Sequence, residues 1–153
     1  MKLSCIIVDD EPVAVKLLES FVQKTPQLQL ASSFTDSVEA LNWLKEHPVN
    51  LVFMDIQMPD MNGMELSHML PEGTKVIFTT AFKEYAFESY EVSAIDFLLK
   101  PIRYNKFIAA VEKAGQWFGR TNERNEGHEG NEGNEKRVTT VGTRETLFIR
   151  VDG

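Results

Sequence analysis

Five short apolar runs punctuate the first part of the chain: Leu3–Val8, Leu28–Ser33, Asn50–Met54, Lys75–Thr79 and Ala94–Leu99. Each is rich in Ile, Val, Leu or Phe and shows little alternation of apolar with polar positions. That is the pattern of strands buried on both faces of a parallel sheet. Helical spacing fills the intervals. In Pro12–Gln23 the residues Val15, Leu18, Phe21 and Val22 share one face, with Pro12 suited to a first turn. Ser37–Glu46 presents Val38, Leu41, Trp43 and Leu44, with Asp36 or Ser37 available as a cap. Met64–Leu70 and Tyr85–Tyr90 are short helical stretches, and Tyr104–Phe118 carries the stripe Phe107, Ile108, Val111, Ala114 and Phe118. A strand followed by a helix, repeated five times, predicts an α/β domain with a doubly wound five-stranded parallel sheet.

The pattern fails after residue 118. Residues 119–137 carry no apolar side chain of any size and are dominated by Gly, Asn and Glu. Such a segment cannot bury enough surface to offset its ordering entropy, so it is expected to be a flexible linker. Val138–Val141 and Thr146–Val151 are again strand-like. Residues 138–153 are too few to hold a core of their own, and they are expected to be the beginning of a second, truncated domain. The organisation predicted is therefore 1–118, 119–137 and 138–153.

Charge and composition narrow the function classes. A net charge of −7 argues against a free-standing basic nucleic-acid binder, while leaving DNA binding by another region open. No apolar run approaches the roughly 18 residues a membrane span needs. The lone Cys5 cannot form an internal disulfide, which suits a reducing cytoplasm, and its place in an apolar run reads as a small buried hydrophobe.

In a doubly wound sheet, ligands gather beyond the carboxyl ends of the strands. Strand one ends in Asp9-Asp10, followed by Glu11; strand three in Asp55; strand four in Thr79-Thr80; strand five in Lys100, followed by Pro101. Carboxylates held close together raise one another's pKa and oppose folding. A site built this way makes sense around a hard divalent cation, and Mg²⁺, which takes oxygen ligands and keeps waters and phosphate, suits it best. Asp55 is then a candidate nucleophile, since a carboxylate can form an aspartyl phosphate. Lys100 supplies a fixed positive charge to a phosphoryl oxygen, and Thr80 a hydrogen-bond donor.

The stretches Ile7-Val8-Asp9-Asp10-Glu11-Pro12, Met54-Asp55-Ile56-Gln57-Met58-Pro59-Asp60-Met61-Asn62-Gly63, Thr79-Thr80-Ala81-Phe82 and Asp96-Phe97-Leu98-Leu99-Lys100-Pro101 together resemble the signature of bacterial response-regulator receiver domains. The resemblance covers residues 3 to about 118, with the four motifs in order. It implies a flavodoxin-like (βα)5 fold and phosphotransfer from a sensor histidine kinase to Asp55. It implies Mg²⁺ bound by Asp10, Asp55 and the backbone carbonyl of Gln57, with Asp9 behind them. It also implies that Thr80 and Phe97 are a switch pair, that Lys100 contacts the phosphoryl group, and that the bond before Pro101 is cis. Phe97 stands where Tyr is common in that family, and so lacks a hydroxyl.

Thr80 to Pro101 is similar in particular to the LytR/AlgR branch, whose members carry a C-terminal LytTR DNA-binding domain. Leu147-Phe148-Ile149-Arg150-Val151-Asp152-Gly153 is similar to the opening of such a domain. This implies DNA as a partner through a missing C-terminal domain. Phosphorylation is expected to draw Thr80 inward, let Phe97 fill the vacated space and remodel the face of Tyr85–Tyr90, strand five and the last helix, where a phosphorylation-dependent homodimer is expected.

Simpler readings exist for each residue. Asp9 and Asp10 suit a helix N-terminus, Asp55 a turn, Thr80 a strand end, Lys100 the surface and Phe97 a core. Asp9, Asp10, Asp55, Thr80 and Lys100 meeting at one sheet edge is what sets these aside. Asp60-Met61-Asn62-Gly63 hints at an EF-hand loop, but aligning Gly63 with that loop's glycine puts Met58 and Met69 where acids are required. His47, His68 and His128 lack metal-ligand spacing and are expected at the surface. The dense methionines near Asp55 read as packing. An Asp-nucleophile phosphatase needs a second Asp two positions on, where Gln57 stands, so the chain is expected to be a phosphoacceptor switch and not an enzyme. A passive module that keeps only the fold is disfavoured by the intact acid cluster and Lys100.

Overall fold

The computed structural model describes residues 2–59, 61–82 and 94–130, with side chains as far as Arg120. In chain order the elements are β1 (Leu3–Val8), α1 (Pro12–Gln23), β2 (Leu28–Phe34), α2 (Ser37–Glu46), β3 (Leu51–Asp55), α3 (Gly63–Ser67), β4 (Lys75–Thr80), β5 (Ala94–Leu99) and α4 (Tyr104–Gly130). All strand pairs are parallel and the sheet order is β2-β1-β3-β4-β5. This is the doubly wound, flavodoxin-like sheet expected from the alternating apolar and amphipathic segments.

Burial follows sheet position. In the central strands Ile6, Ile7, Val8, Val52, Phe53, Met54, Ile77 and Phe78 have no exposed surface. The expectation of strands covered on both faces holds for them. It fails for β2, where Gln29 and Ala31 are exposed, because β2 takes an outer position in the sheet. Cys5 is buried as expected, and burial pushes its thiol up to about 12.

The predicted stripe of α1 is buried in full, at Val15, Leu18, Phe21 and Val22. The Phe21 ring lies 5.2 Å from Tyr104 and 5.3 Å from Phe107, and Phe107 stacks on Phe53 at 5.1 Å. These aromatic contacts, each worth about 0.5–1.5 kcal/mol beyond area burial, tie α1 and the start of α4 to β3, the strand that ends in Asp55. In α2, Ala40, Leu41 and Leu44 face inward, but Val38 is exposed. Asp36 is the cap, its Oδ1 accepting from Val38 N at 2.8 Å and Glu39 N at 3.2 Å.

Two helices depart from the sequence reading. α3 begins one residue early and stops at Ser67. A capping box starts it: Asn62 Oδ1 accepts from Glu65 N at 2.9 Å, and Asn62 N donates to Glu65 Oε1 at 3.2 Å. Bonds from Met69 N to Leu66 O and from Leu70 N to Ser67 O tighten the end into three-residue turns, ahead of Pro71, which disfavours helix at Leu70. α4 runs to Gly130, so residues 119–130 of the expected linker are helical. Extending a formed helix costs far less than nucleating one, and apolar periodicity cannot detect such an extension.

The chain divides into two units, Met1–Ala114 and Gly115–Gly153, and the sheet and every candidate site residue belong to the first. The Tyr85–Tyr90 stretch, the rest of the linker, and the strand-like segments Val138–Val141 and Thr146–Val151 lie outside the described residues. Among the described residues no helix is long and apolar enough to cross a membrane.

Candidate functional site

The site forms where the strand ladders end. β1 stops at Val8, opposite Met54 of β3 and Phe34 of β2. Asp9 makes the last bond, from its N–H to Phe34 O at 3.0 Å, and Asp10 then leaves the sheet. β3 ends with Asp55 opposite Thr79 of β4, and Ile56 N donates to Thr79 O at 3.0 Å. Lys100 follows β5, its N–H donating to Thr80 O at 2.7 Å. The order β2-β1-β3 makes the gap between β1 and β3 the point where the winding reverses, which is where such sheets open a crevice.

Side chains from three of these strand ends converge there. One carboxylate oxygen from each of Asp9, Asp10 and Asp55 lies within 4.8 Å of the others. Asp9 and Asp55 are buried and Asp10 is half-buried. Lys100 Nζ stands 2.9 Å from Asp9 Oδ2, 3.3 Å from Glu11 Oε1 and 3.7 Å from Asp55 Oδ1. Thr80, 1% exposed, adjoins Lys100 through the β4–β5 ladder, and its Oγ1 accepts from Phe82 N at 3.2 Å. The side chain of Gln57 is exposed, while its backbone hydrogen-bonds the Asp55 carboxyl. The Lys100–Pro101 bond is cis. Phe97 is half-buried against the core cluster that includes Met54 and Phe78, and it lines an open groove with Leu99, Pro101, Arg103 and Lys106. His47 and His68 are exposed, as expected, and His47 stacks on Trp43 at 4.4 Å.

The electrostatics show a site short of positive charge. Burial, then the neighbouring Asp9, pushes the Asp55 carboxyl up to about 7; Lys100 and the Gln57 backbone bond oppose this, and Asp10 adds to it. For Lys100, burial would lower the ammonium's pKa. Its contact with Asp9, the charges of Asp55 and Asp9, and Glu11 outweigh that and leave it above the ordinary value. Among the described residues, one lysine thus stands against Asp9, Glu11 and Asp55, with Asp10 clustered beside Asp9 and Asp55. The donor set is hard oxygen, clustered and under-neutralised, which fits a divalent cation of the Mg²⁺ type.

Two residues outside the predicted set take part. Glu11 reaches Lys100, and its only sequence signal is adjacency to the acid pair. Gly63 lies directly against the backbone of Asp55. Asn62-Gly63 is a turn signal in the sequence, but its packing against Asp55 is a product of the fold that no local pattern marks.

A parallel sheet with an acid triad and a lysine at its switch point defines the class of protein: a small α/β domain with an acidic, lysine-bearing pocket. The chain belongs to the response regulator receiver domain family of two-component systems, which it matches over residues 5–112. It is 38% identical over 116 residues to an uncharacterised response regulatory protein of Shewanella oneidensis, covering 72% of this chain and 49% of that one. It is 38% identical over 102 residues to the transcriptional regulatory protein BtsR of Escherichia coli, covering 65% of this chain and 43% of that one. The crystal structure of the response regulatory domain of MrkE from Klebsiella pneumoniae superposes with a TM-score of 0.71 at 29% identity, covering 76% of this chain and 98% of that domain. The chain spans about half the length of the curated relatives it matches.

Proposed function

We propose that this receiver accepts a phosphoryl group on Asp55 from a sensor histidine kinase and thereby switches a DNA-binding output. One observation carries the reading. The Asp55 carboxylate is buried at the end of β3 among two further acids, with the Lys100 ammonium 3.7 Å away. That is the charge arrangement for taking up and holding a phosphoryl anion. In the transfer, an Asp55 carboxylate oxygen forms a bond to phosphorus while the phosphorus–nitrogen bond of the phosphohistidine breaks. The electron pair leaves with the imidazole nitrogen, which takes up a proton from water.

Asp10, Asp55 and the Gln57 backbone carbonyl would hold Mg²⁺, with Asp9 behind them. The ion, when bound, supplies positive charge that offsets the phosphoryl oxygens. Lys100 orients and neutralises one phosphoryl oxygen, and the Thr80 hydroxyl donates to another. Drawing Thr80 inward opens space for Phe97. That change remodels the face of β5 and α4, and a homodimer forms there. Asp55 is consumed stoichiometrically, so the protein acts as a switch and not as a turnover enzyme. BtsR is named a transcriptional regulatory protein, which supports a DNA-binding output; the similarity of Leu147–Gly153 to the opening of a LytTR domain favours an output of that type, and the lone cysteine suits the cytoplasm.

The test is incubation with Mg²⁺ and acetyl phosphate followed by intact-protein mass spectrometry. One added phosphoryl group, lost in Asp55→Asn, is expected. Wild type that acquires none under these conditions contradicts the reading.

A further inference from the structure

We propose that Glu11 is a positioning residue that restrains Lys100, holding its ammonium away from Asp55 until a phosphoryl group competes for it. The proposal rests on reading Asp55 as the acceptor. Glu11 is the N-cap of α1, yet its side chain makes no capping hydrogen bond. Ser, Thr, Asp or Asn at that position would satisfy a free helix N–H. The Glu11 carboxylate instead reaches across the crevice to Lys100, 89 residues further along the chain. The reach is set from below, because Asp9 Oδ1 accepts from Glu11 N at 2.9 Å and pins the loop beside the acid pair. Lys100 therefore has two nearer acids, Asp9 at 2.9 Å and Glu11 at 3.3 Å, and the acceptor only at 3.7 Å.

Asp9 is buried, whereas the Glu11 side chain is 67% exposed. The Glu11 contact is thus the one solvent can replace, and Lys100 can let go of it. Exposed pairs of this kind shift an equilibrium by about twofold to fivefold, a scale suited to setting a rate without abolishing it.

The test measures acetyl-phosphate labelling of Asp55 with Mg²⁺, at fixed ionic strength, in wild type, Glu11→Ala, Lys100→Met and the double variant. Glu11→Ala is expected to label about twofold to fivefold faster. The same change in the Lys100→Met background should leave the rate unaltered, because the effect runs through the lysine. Equal acceleration in both backgrounds means Glu11 merely repels the anionic donor, and overturns the proposal. So does an unaltered rate in Glu11→Ala. A second variant, Glu11→Ser, can cap α1 and should raise both the melting temperature and the labelling rate; a higher melting temperature with an unaltered rate also overturns it. Wild type that fails to label at Asp55 removes the acceptor reading and this role with it. Labelled wild type with an indifferent Glu11→Ala removes this role alone.

Discussion

Gly63 rests on the backbone of Asp55 with no room between them for a side chain. A Cβ at position 63 would run into the Asp55 carbonyl oxygen and lie 3.0 Å from Ile56 Cα. These are backbone atoms at the end of β3. Ile56 N is bonded to Thr79 O, and Gly63 N to Ile56 O at 2.7 Å, so they cannot swing aside. Gly63→Ala should force the segment after Asp55 to shift. We expect a loss of roughly 1–3 kcal/mol, the usual cost of overpacking, together with slower labelling of Asp55, because the Gln57 backbone moves with the loop. Urea denaturation and the mass-spectrometric assay check both, and a variant as stable and as readily labelled as wild type contradicts the packing argument.

Stability should depend on the ionisation of Asp55 in a definite direction. Its carboxyl has an ordinary value of 3.8 and stands at about 7 in the folded protein. Between those values the native state binds the proton that the unfolded chain has lost. The Asp55 contribution is therefore full below about pH 4 and declines as pH rises through 7. Asp55→Asn removes the ionisation. It should stabilise the protein by a few kcal/mol at pH 8 without divalent cation, and by much less at pH 5. Adding Mg²⁺, which favours the ionised carboxylate, should reduce the difference at pH 8. Denaturation midpoints at the two pH values test this, and equal stabilisation at both runs against it.

The sequence made the sheet and the acid pocket legible because both rest on strong local signals. Unbroken apolar runs mark strands covered on both faces, and the charged residues fall at their ends. The reading weakened wherever tertiary position decides. Leu28–Ser33 resembles the other strands in sequence, yet the outer place of β2 in the sheet exposes Gln29 and Ala31. Val38 lies on the apolar side of the α2 pattern yet is exposed. Glu11 reads as an indifferent helix-start residue, since nothing local to it announces a partner that only folding brings near. Gly63 is similar: a turn glycine in sequence, whose necessity comes from the backbone of β3.

Asp36 offers a control that separates stability from function. Its Oδ1 accepts two α2 backbone N–H groups, at 2.8 and 3.2 Å. Asp36→Ala leaves those donors to water and should cost about 1 kcal/mol. α2 contributes none of the site side chains, so labelling of Asp55 should proceed at the wild-type rate. A fall in denaturation midpoint with unaltered labelling is the expected pair of results. Slower labelling in this variant would mean that general destabilisation suffices to slow the site, and would weaken the inference drawn from Gly63→Ala.

Thr80 should matter after phosphorylation and little before it. In the structure its Oγ1 accepts from Phe82 N at 3.2 Å, which occupies a lone pair and leaves the hydroxyl hydrogen available for donation. Thr80 is buried beside Lys100 at the end of β4, so a phosphoryl group on Asp55 would find that donor nearby. Thr80→Ala removes a single neutral hydroxyl, a change worth about 1 kcal/mol, or roughly fivefold in an affinity. Beryllofluoride, which mimics the phosphoryl group on an aspartate, should therefore bind Thr80→Ala about fivefold more weakly by titration calorimetry, with labelling of Asp55 nearly unchanged. Because the threonine is also the proposed link to Phe97, sedimentation of the beryllofluoride complex should show less dimer in the variant than in wild type, even at saturating ligand. A variant that binds beryllofluoride as tightly as wild type and dimerises as fully would take Thr80 out of the switch, and leave Lys100 as the side chain of the site that responds to the added charge.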